Sequence, residues 1–278
     1  MPTPPETRPA VRLRAIGRRT AARLGWTTAS YAIIGCIAGV LLVVSLIWWP
    51  LVLEYFAQWD WSRAVLLQID WLLLFDFGVM FLLVMARASL RTDAPVLLVG
   101  LAGGTLVESW GTRTHLWTYY THESPPLWIL PAWPIATLAI DRLSAELLKR
   151  TERWSARVFD LAYWPIFLGF YGLLLNFVGP TLEQPFSALA VAVVLVLVFT
   201  PQDRRIEVLI FLAGSGLGYF LERWGTTREC WTYYTGQTPP LFAVLAHGMA
   251  AVGFWRATRF VRALRVPLGL RRMASASD

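Results

Sequence analysis

Residues 108–127 read ESWGTRTHLWTYYTHESPPL, and residues 222–241 read ERWGTTRECWTYYTGQTPPL, 114 positions later. Twelve of the twenty positions are identical: Glu, Trp-Gly-Thr, Trp-Thr-Tyr-Tyr-Thr and Pro-Pro-Leu. The correspondence continues upstream at the same offset. Arg91 and Asp93 match Arg205 and Glu207, while Gly100, Ala102 and Gly104 match Gly214, Gly216 and Gly218. A repeat on this scale decides the architecture before any single segment does. The chain reads as a duplication.

Composition supplies the solvent. Of 278 residues, 56% are hydrophobic and 15% charged, and the mean hydropathy is +0.50. That balance lies outside the range of soluble domains, and the 15 Trp residues fit a chain that meets membrane–water boundaries. The net charge of +7 is almost wholly arginine, with Lys149 the only lysine. These arginines stand at the ends of apolar runs, which marks a topology signal and makes nucleic acid an unexpected partner. Cys36 and Cys230 form neither a disulfide framework nor a metal-ligand spacing. No metal or cofactor is expected. The run Tyr31–Leu53, behind an Arg-rich start, is too long for a signal-peptide core and lacks a small-x-small cleavage site, so it reads as a retained first span.

Eight apolar runs follow one another, at about 30–53, 64–86, 94–108, 127–144, 157–178, 186–201, 206–222 and 240–257. The third, sixth and seventh are short for a span and need flanking residues. With both termini inside, 21 of the 25 Lys and Arg fall on the inner side, the division the positive-inside rule requires. The expectation is an all-α integral membrane protein of eight transmembrane helices, arranged as two parallel four-helix repeats with cytoplasmic termini. The predicted parts are a cytoplasmic tail (1–26), a first repeat (27–150), a second repeat (151–258) and a basic tail (259–278). Both motif copies then fall on the outer side of the cell membrane, and parallel repeats commonly place a site at their interface.

The candidate site is built from the motif outward. Glu108 and Glu222 each close a helix rich in small residues, which lets helix backbones approach. Carboxylates at a membrane boundary are costly and mark candidate functional positions; the structural alternative is pairing with Arg113, Arg223 or Arg228. Gly111 and Gly225 are expected to end those helices as left-handed caps. Trp110, Trp117, Tyr119 and Tyr120, with Trp224, Trp231, Tyr233 and Tyr234, read either as an interfacial belt or as a loop packed over the helix ends. Their ring faces can also stabilise a cation. Trp133 and Pro134 stand where the second half has His247 and Gly248, so His247 is the one histidine placed to exchange protons inside the bundle. Asp70 is expected to join Glu108, Glu222 and His247 in an outer-half cluster, with Asp76 nearer mid-membrane.

Glu108-x-x-Gly111, the following Tyr pair and the span carrying Pro131, Trp133 and Pro134 resemble the membrane carotenoid hydratases and, more distantly, the membrane lycopene cyclases. The resemblance covers about 30 residues in each half. It implies acid-initiated hydration or cyclisation of a long isoprenoid, with Glu108 or Glu222 as acid and Asp70 or His247 as base, and with the motif aromatics holding the substrate. Two other functions fit the same pattern: a lipid or small-solute transporter, and a non-catalytic scaffold whose outer loops bind a protein partner or pigment.

Overall fold

The computed structural model describes residue 17 and residues 19–274, with side chains as far as Leu264. The first sixteen residues of the Arg-rich tail, and the side chains of most of the basic C-terminal tail, lie outside the described residues. The elements run α1 (Thr28–Ile47), α2 (Trp49–Ala57), α3 (Trp71–Met85), α4 (Leu90–Arg113), β1 (Trp117–Tyr119), α5 (Ala132–Arg150), α6 (Ala156–Val178), α7 (Pro185–Phe199), α8 (Arg204–Thr227), β2 (Trp231–Tyr233) and α9 (Leu241–Ala274). Among the described residues, four helical segments are long and apolar enough to cross a membrane: Thr28–Ile47, Leu90–Arg113, Ala156–Thr181 and Leu241–Leu264. The protein is a helical, multi-pass membrane protein. α7 is apolar throughout and α3 apolar except at Asp76, but each is only 15 residues long.

Local chemistry sets the helix starts. Thr27 and Ser30 form a reciprocal capping box on α1. Asp70 accepts from the Leu72 and Leu73 amides at the head of α3, Ser155 from Arg157 on α6, and Asp203 from Ile206 on α8. The first predicted span divides at Trp48: Pro50, which has no amide hydrogen to continue the ladder, sits in the first turn of α2.

α4 and α8 match residue for residue at the 114 offset, from Leu90 and Arg204 to Arg113 and Thr227, and β1 and β2 keep the same offset. α5 packs against α4 and α8, and α9 against α8 and α4. Glycine makes these crossings close. A Cβ on Gly104 would enter the Trp133 indole, and one on Gly218 would meet the His247 ring. A Cβ on Gly214 would strike the α9 backbone at His247 and Gly248. Gly216 corrects the small-residue reading, since a Cβ there meets nothing; Gly103, outside the expected set, abuts Phe254 instead.

The ends of these helices away from the motifs are tied by two ion pairs at equivalent positions, each on a buried carboxylate. Arg142 meets Asp93 at 2.6 Å, and Arg256 meets Glu207 at 2.6 Å. Arg256 binds Glu207 through two nitrogens and also donates to the Leu197 carbonyl, so the charges are hydrogen-bonded as well as paired. At the other end β1 and β2 pair antiparallel: Trp117 opposite Tyr233, Thr118 opposite Thr232, and Tyr119 opposite Trp231. The register is self-complementary, with the two central threonines facing each other.

Candidate functional site

Each motif folds back over the end of its own helix. α4 runs two residues past Gly111; His115 then takes φ 58°, and the Leu116 amide returns to the Gly111 carbonyl at 2.9 Å. The second copy repeats this with Glu229 at φ 55° and the Cys230 amide on Gly225 at 2.9 Å. The left-handed residues are therefore His115 and Glu229, and the expectation that Gly111 and Gly225 supply them is corrected. Those glycines have another role. A Cβ at either would lie inside the indole of Trp117 or Trp231, so each is the floor on which the motif tryptophan rests.

The turn and the three-residue strand bring two donors down onto each carboxylate. The Trp117 Nε1 donates to Glu108 Oε2 at 3.1 Å, and the Tyr119 hydroxyl to the same oxygen at 2.9 Å. Trp231 Nε1 donates to Glu222 Oε2 at 3.0 Å, and the Tyr233 hydroxyl to Oε1 at 2.8 Å. The next helix adds a third partner. Trp133 Nε1 donates to Glu108 Oε1 at 3.0 Å; at the matching position His247 Nε2 lies 3.0 Å from Glu222 Oε1. Both carboxylates are 4% exposed, and neither pairs with an arginine among the described residues. Burial of a carboxylate is costly unless its lone pairs are satisfied. Here aromatic N–H and O–H groups satisfy them.

The two shells touch. Trp117 lies 5.9 Å from Tyr233, and Tyr119 5.9 Å from Trp231, between ring centroids. Trp133 and His247 stack at 5.7 Å with 16° between planes. Burial and the adjacent carboxylates push the Tyr119 and Tyr233 phenols well above their ordinary 10, so both remain hydrogen-bond donors. The halves therefore differ at one partner. Glu108 is surrounded by donors that do not titrate near neutrality. Glu222 is bonded to an imidazole.

The other candidates stand outside this centre. Trp110 packs edge-on to Trp117 and donates to Ser187 Oγ at 3.2 Å; Trp224 packs edge-on to Trp231 and donates to Asp70 Oδ2 at 3.0 Å. Tyr234 donates to the Phe177 carbonyl at 2.7 Å, and Tyr120 is half-exposed beside Trp128. Asp70 is not a partner of Glu108. It caps α3 and takes the Arg228 guanidinium, with Nε at 2.9 Å and the other nitrogen at 3.2 Å. Burial raises its carboxyl, but the bonds from Arg228, Leu73 and Trp224 outweigh burial and hold it below its ordinary 3.8. Asp76 is 2% exposed, and both its oxygens lack a partner among the described residues. Trp133 was legible as the mismatch to His247 and as part of the resemblance; nothing in sequence marked its indole as a ligand of Glu108.

No family model, curated protein or solved structure matches this chain.

Proposed function

We propose that this protein is an eight-span membrane enzyme that moves a proton onto and off a long isoprenoid chain, with Glu222 and His247 as the exchanging pair. The observation that carries the reading is the difference between two otherwise equivalent carboxylates: Glu222 is bonded to an imidazole where Glu108 is bonded to an indole. In this scheme the pair delivers a proton to a carbon–carbon double bond and leaves a tertiary cation. Water adds to the cation and loses a proton to the pair, giving hydration; alternatively, a neighbouring double bond attacks and a proton is lost, giving a ring. Trp231 and Tyr233 bond Glu222, and Tyr119 and Trp117 pack against them; in this scheme their rings stabilise the positive centre. Proton transfer alone needs no cofactor.

Two parallel four-helix repeats are the architecture that fits this reading, with the motifs outside and the termini in the cytoplasm. The 114-residue offset, the inner arginines and the self-complementary strand register support a twofold axis along the membrane normal, passing between Trp133 and His247. At about 1.5 Å per residue, the 15-residue α3 and α7 fall short of the ~30 Å hydrocarbon core and use flanking residues to complete their spans.

A second reading rests on Glu108. Its shell is complete without an imidazole, as in a carboxylate that only locks a loop to a helix end, and a scaffold needs nothing more. Mass spectrometry of lipid and pigment extracts separates the two, using cells with the intact gene, without it, and with Glu222→Gln or Glu108→Gln. An isoprenoid altered by one water or one ring, present with the intact gene and lost with Glu222→Gln, is the expected result. Identical extracts from all four would leave the scaffold.

A further inference from the structure

A second polar region lies on the same line through the molecule, towards the inner ends of the helices. It is a cleft between α4, α5, α8 and α9 with a volume of about 20 Å³, room for one water. Its walls are made of mates 114 apart: Thr137 with Ala251, Asp141 with Trp255, and Ser144 with Thr258. Equivalent residues of the two halves face each other across it, as Trp133 and His247 do in their stack, so the cleft lies on the same line between the halves. Thr137 and Ala251 are four residues beyond that stack, one helical turn of about 5.4 Å further inward. One water with two hydrogen bonds spans nearly that distance.

The walls are unequal at the end nearer the stack. There α5 contributes Thr137 and Asp141 opposite Ala251 and Trp255 of α9, whereas further along Ser144 faces Thr258 and α9 adds Arg262. Thr137 donates its hydroxyl to the Trp133 carbonyl at 2.7 Å, which leaves its oxygen free to accept from a water in the cleft. Asp141 stands one turn below, with Arg142 at 3.5 Å. Arg262, also in the wall, donates to the Thr92 carbonyl at 2.7 Å, and the neighbouring Asp93 is taken by Arg142. At the other end His247 uses Nε2 for Glu222, and its Nδ1 has no partner among the described residues.

We propose that this cleft is the water and proton path that connects His247 to the inner side of the membrane. A proton from inner water is carried by the Asp141 carboxylate and a water held at Thr137 to His247 Nδ1. The imidazole then releases its Nε2 proton to Glu222. The proposal rests on the assignment of Glu222 and His247 as the exchanging pair, and adds to it the side from which they are supplied.

The test reads water access at His247 directly. Exchange of the imidazole Cε1 hydrogen in deuterium oxide is measured by mass spectrometry on the full chain in lipid nanodiscs. The chain has three histidines, and the exposed His115 and His122 serve as internal references. Ala251→Leu fills the cleft, and Thr137→Val keeps its shape while removing the water's acceptor. Each should slow exchange at His247 by about fivefold and leave His115 and His122 unchanged. Unfolding accelerates exchange, so slowing is not produced by a damaged fold, and Thr137→Val decides the matter if Ala251→Leu does not fold. An unchanged His247 rate in the folded variants overturns the proposal. Failure of the enzyme reading would show itself separately, as unaltered extracts with an intact exchange pattern.

Discussion

At the scale of single residues, the site is a matter of donors meeting two buried carboxylates. Replacing Glu108 by Gln keeps the volume but turns one acceptor into a donor, which then faces an indole N–H or the Trp117–Tyr119 pair. Losing one hydrogen bond to a charged group and opposing two donors should cost about 2 kcal/mol, read as a lower unfolding midpoint in detergent. An unchanged midpoint would mean that the three bonds do not hold the loop. The glycines give a paired prediction. Gly111→Ala should destabilise the protein, because the methyl takes the place of the Trp117 ring. Gly216→Ala should be neutral or stabilising by up to about 1 kcal/mol, since it meets no atom and improves helix propensity. The motif made Glu108, Glu222 and their aromatic neighbours legible as candidates. It did not show that the aromatics are the carboxylates' partners, because an indole N–H nine residues away reaches Glu only after the chain has turned through His115 or Glu229. Charge alone pointed to arginine, and the arginine went to Asp70.

At the scale of elements, the apolar runs located the helices well but not their breaks or caps. The long first run is two helices because Pro50 interrupts it, and α4 and α8 outlast the glycines that sequence took for their ends. Asp70 shows why the cluster was misplaced: its position relative to α3 suited an outer-half site, yet the α3 amides, Trp224 and Arg228 claim its oxygens. This contact fixes the head of α3 to the second motif, and its pH dependence has a definite sign. Asp70 is lowered below 3.8 in the folded protein. Its stabilisation is complete above the unfolded value, near pH 4, and is lost as pH falls through the lowered folded value. Asp70→Asn retains a good helix cap and an acceptor for Trp224 while removing the charge. The variant should therefore be less stable than wild type at neutral pH, and the gap should close as the pH falls below about 4. A constant gap would show that Asp70 acts through its cap alone.

At the scale of the whole molecule, the duplication was the most legible feature, and what it left out is how tightly the halves are joined. A 114-residue offset can describe two bundles side by side or one bundle built from both. The packing is of the second kind: α5 lies against α8, α9 against α4, and β1 pairs with β2 along its whole length. The carboxylate shells meet through Trp117 with Tyr233 and Tyr119 with Trp231, while Trp133 stacks on His247. Each half thus completes the surroundings of the other's site. The covalent link between them is slight by comparison. Residues 151–155 join α5 to α6, and Glu152, Arg153 and Trp154 are exposed. A protease site inserted between Glu152 and Arg153 should therefore be cleavable in the folded protein without separating the halves. After cleavage, residues 1–152 and 153–278 should travel together through affinity purification and size exclusion in mild detergent, and exchange at His247 should match the uncut chain. Gly111→Ala and Gly225→Ala together disturb both loops that carry the strands, so the cut halves of that variant should come apart more readily than the cut wild type. If the wild-type halves separate on cleavage, the strand pair and the ring contacts are too weak to hold the centre together, and a site shared between the halves would depend on the intact connection.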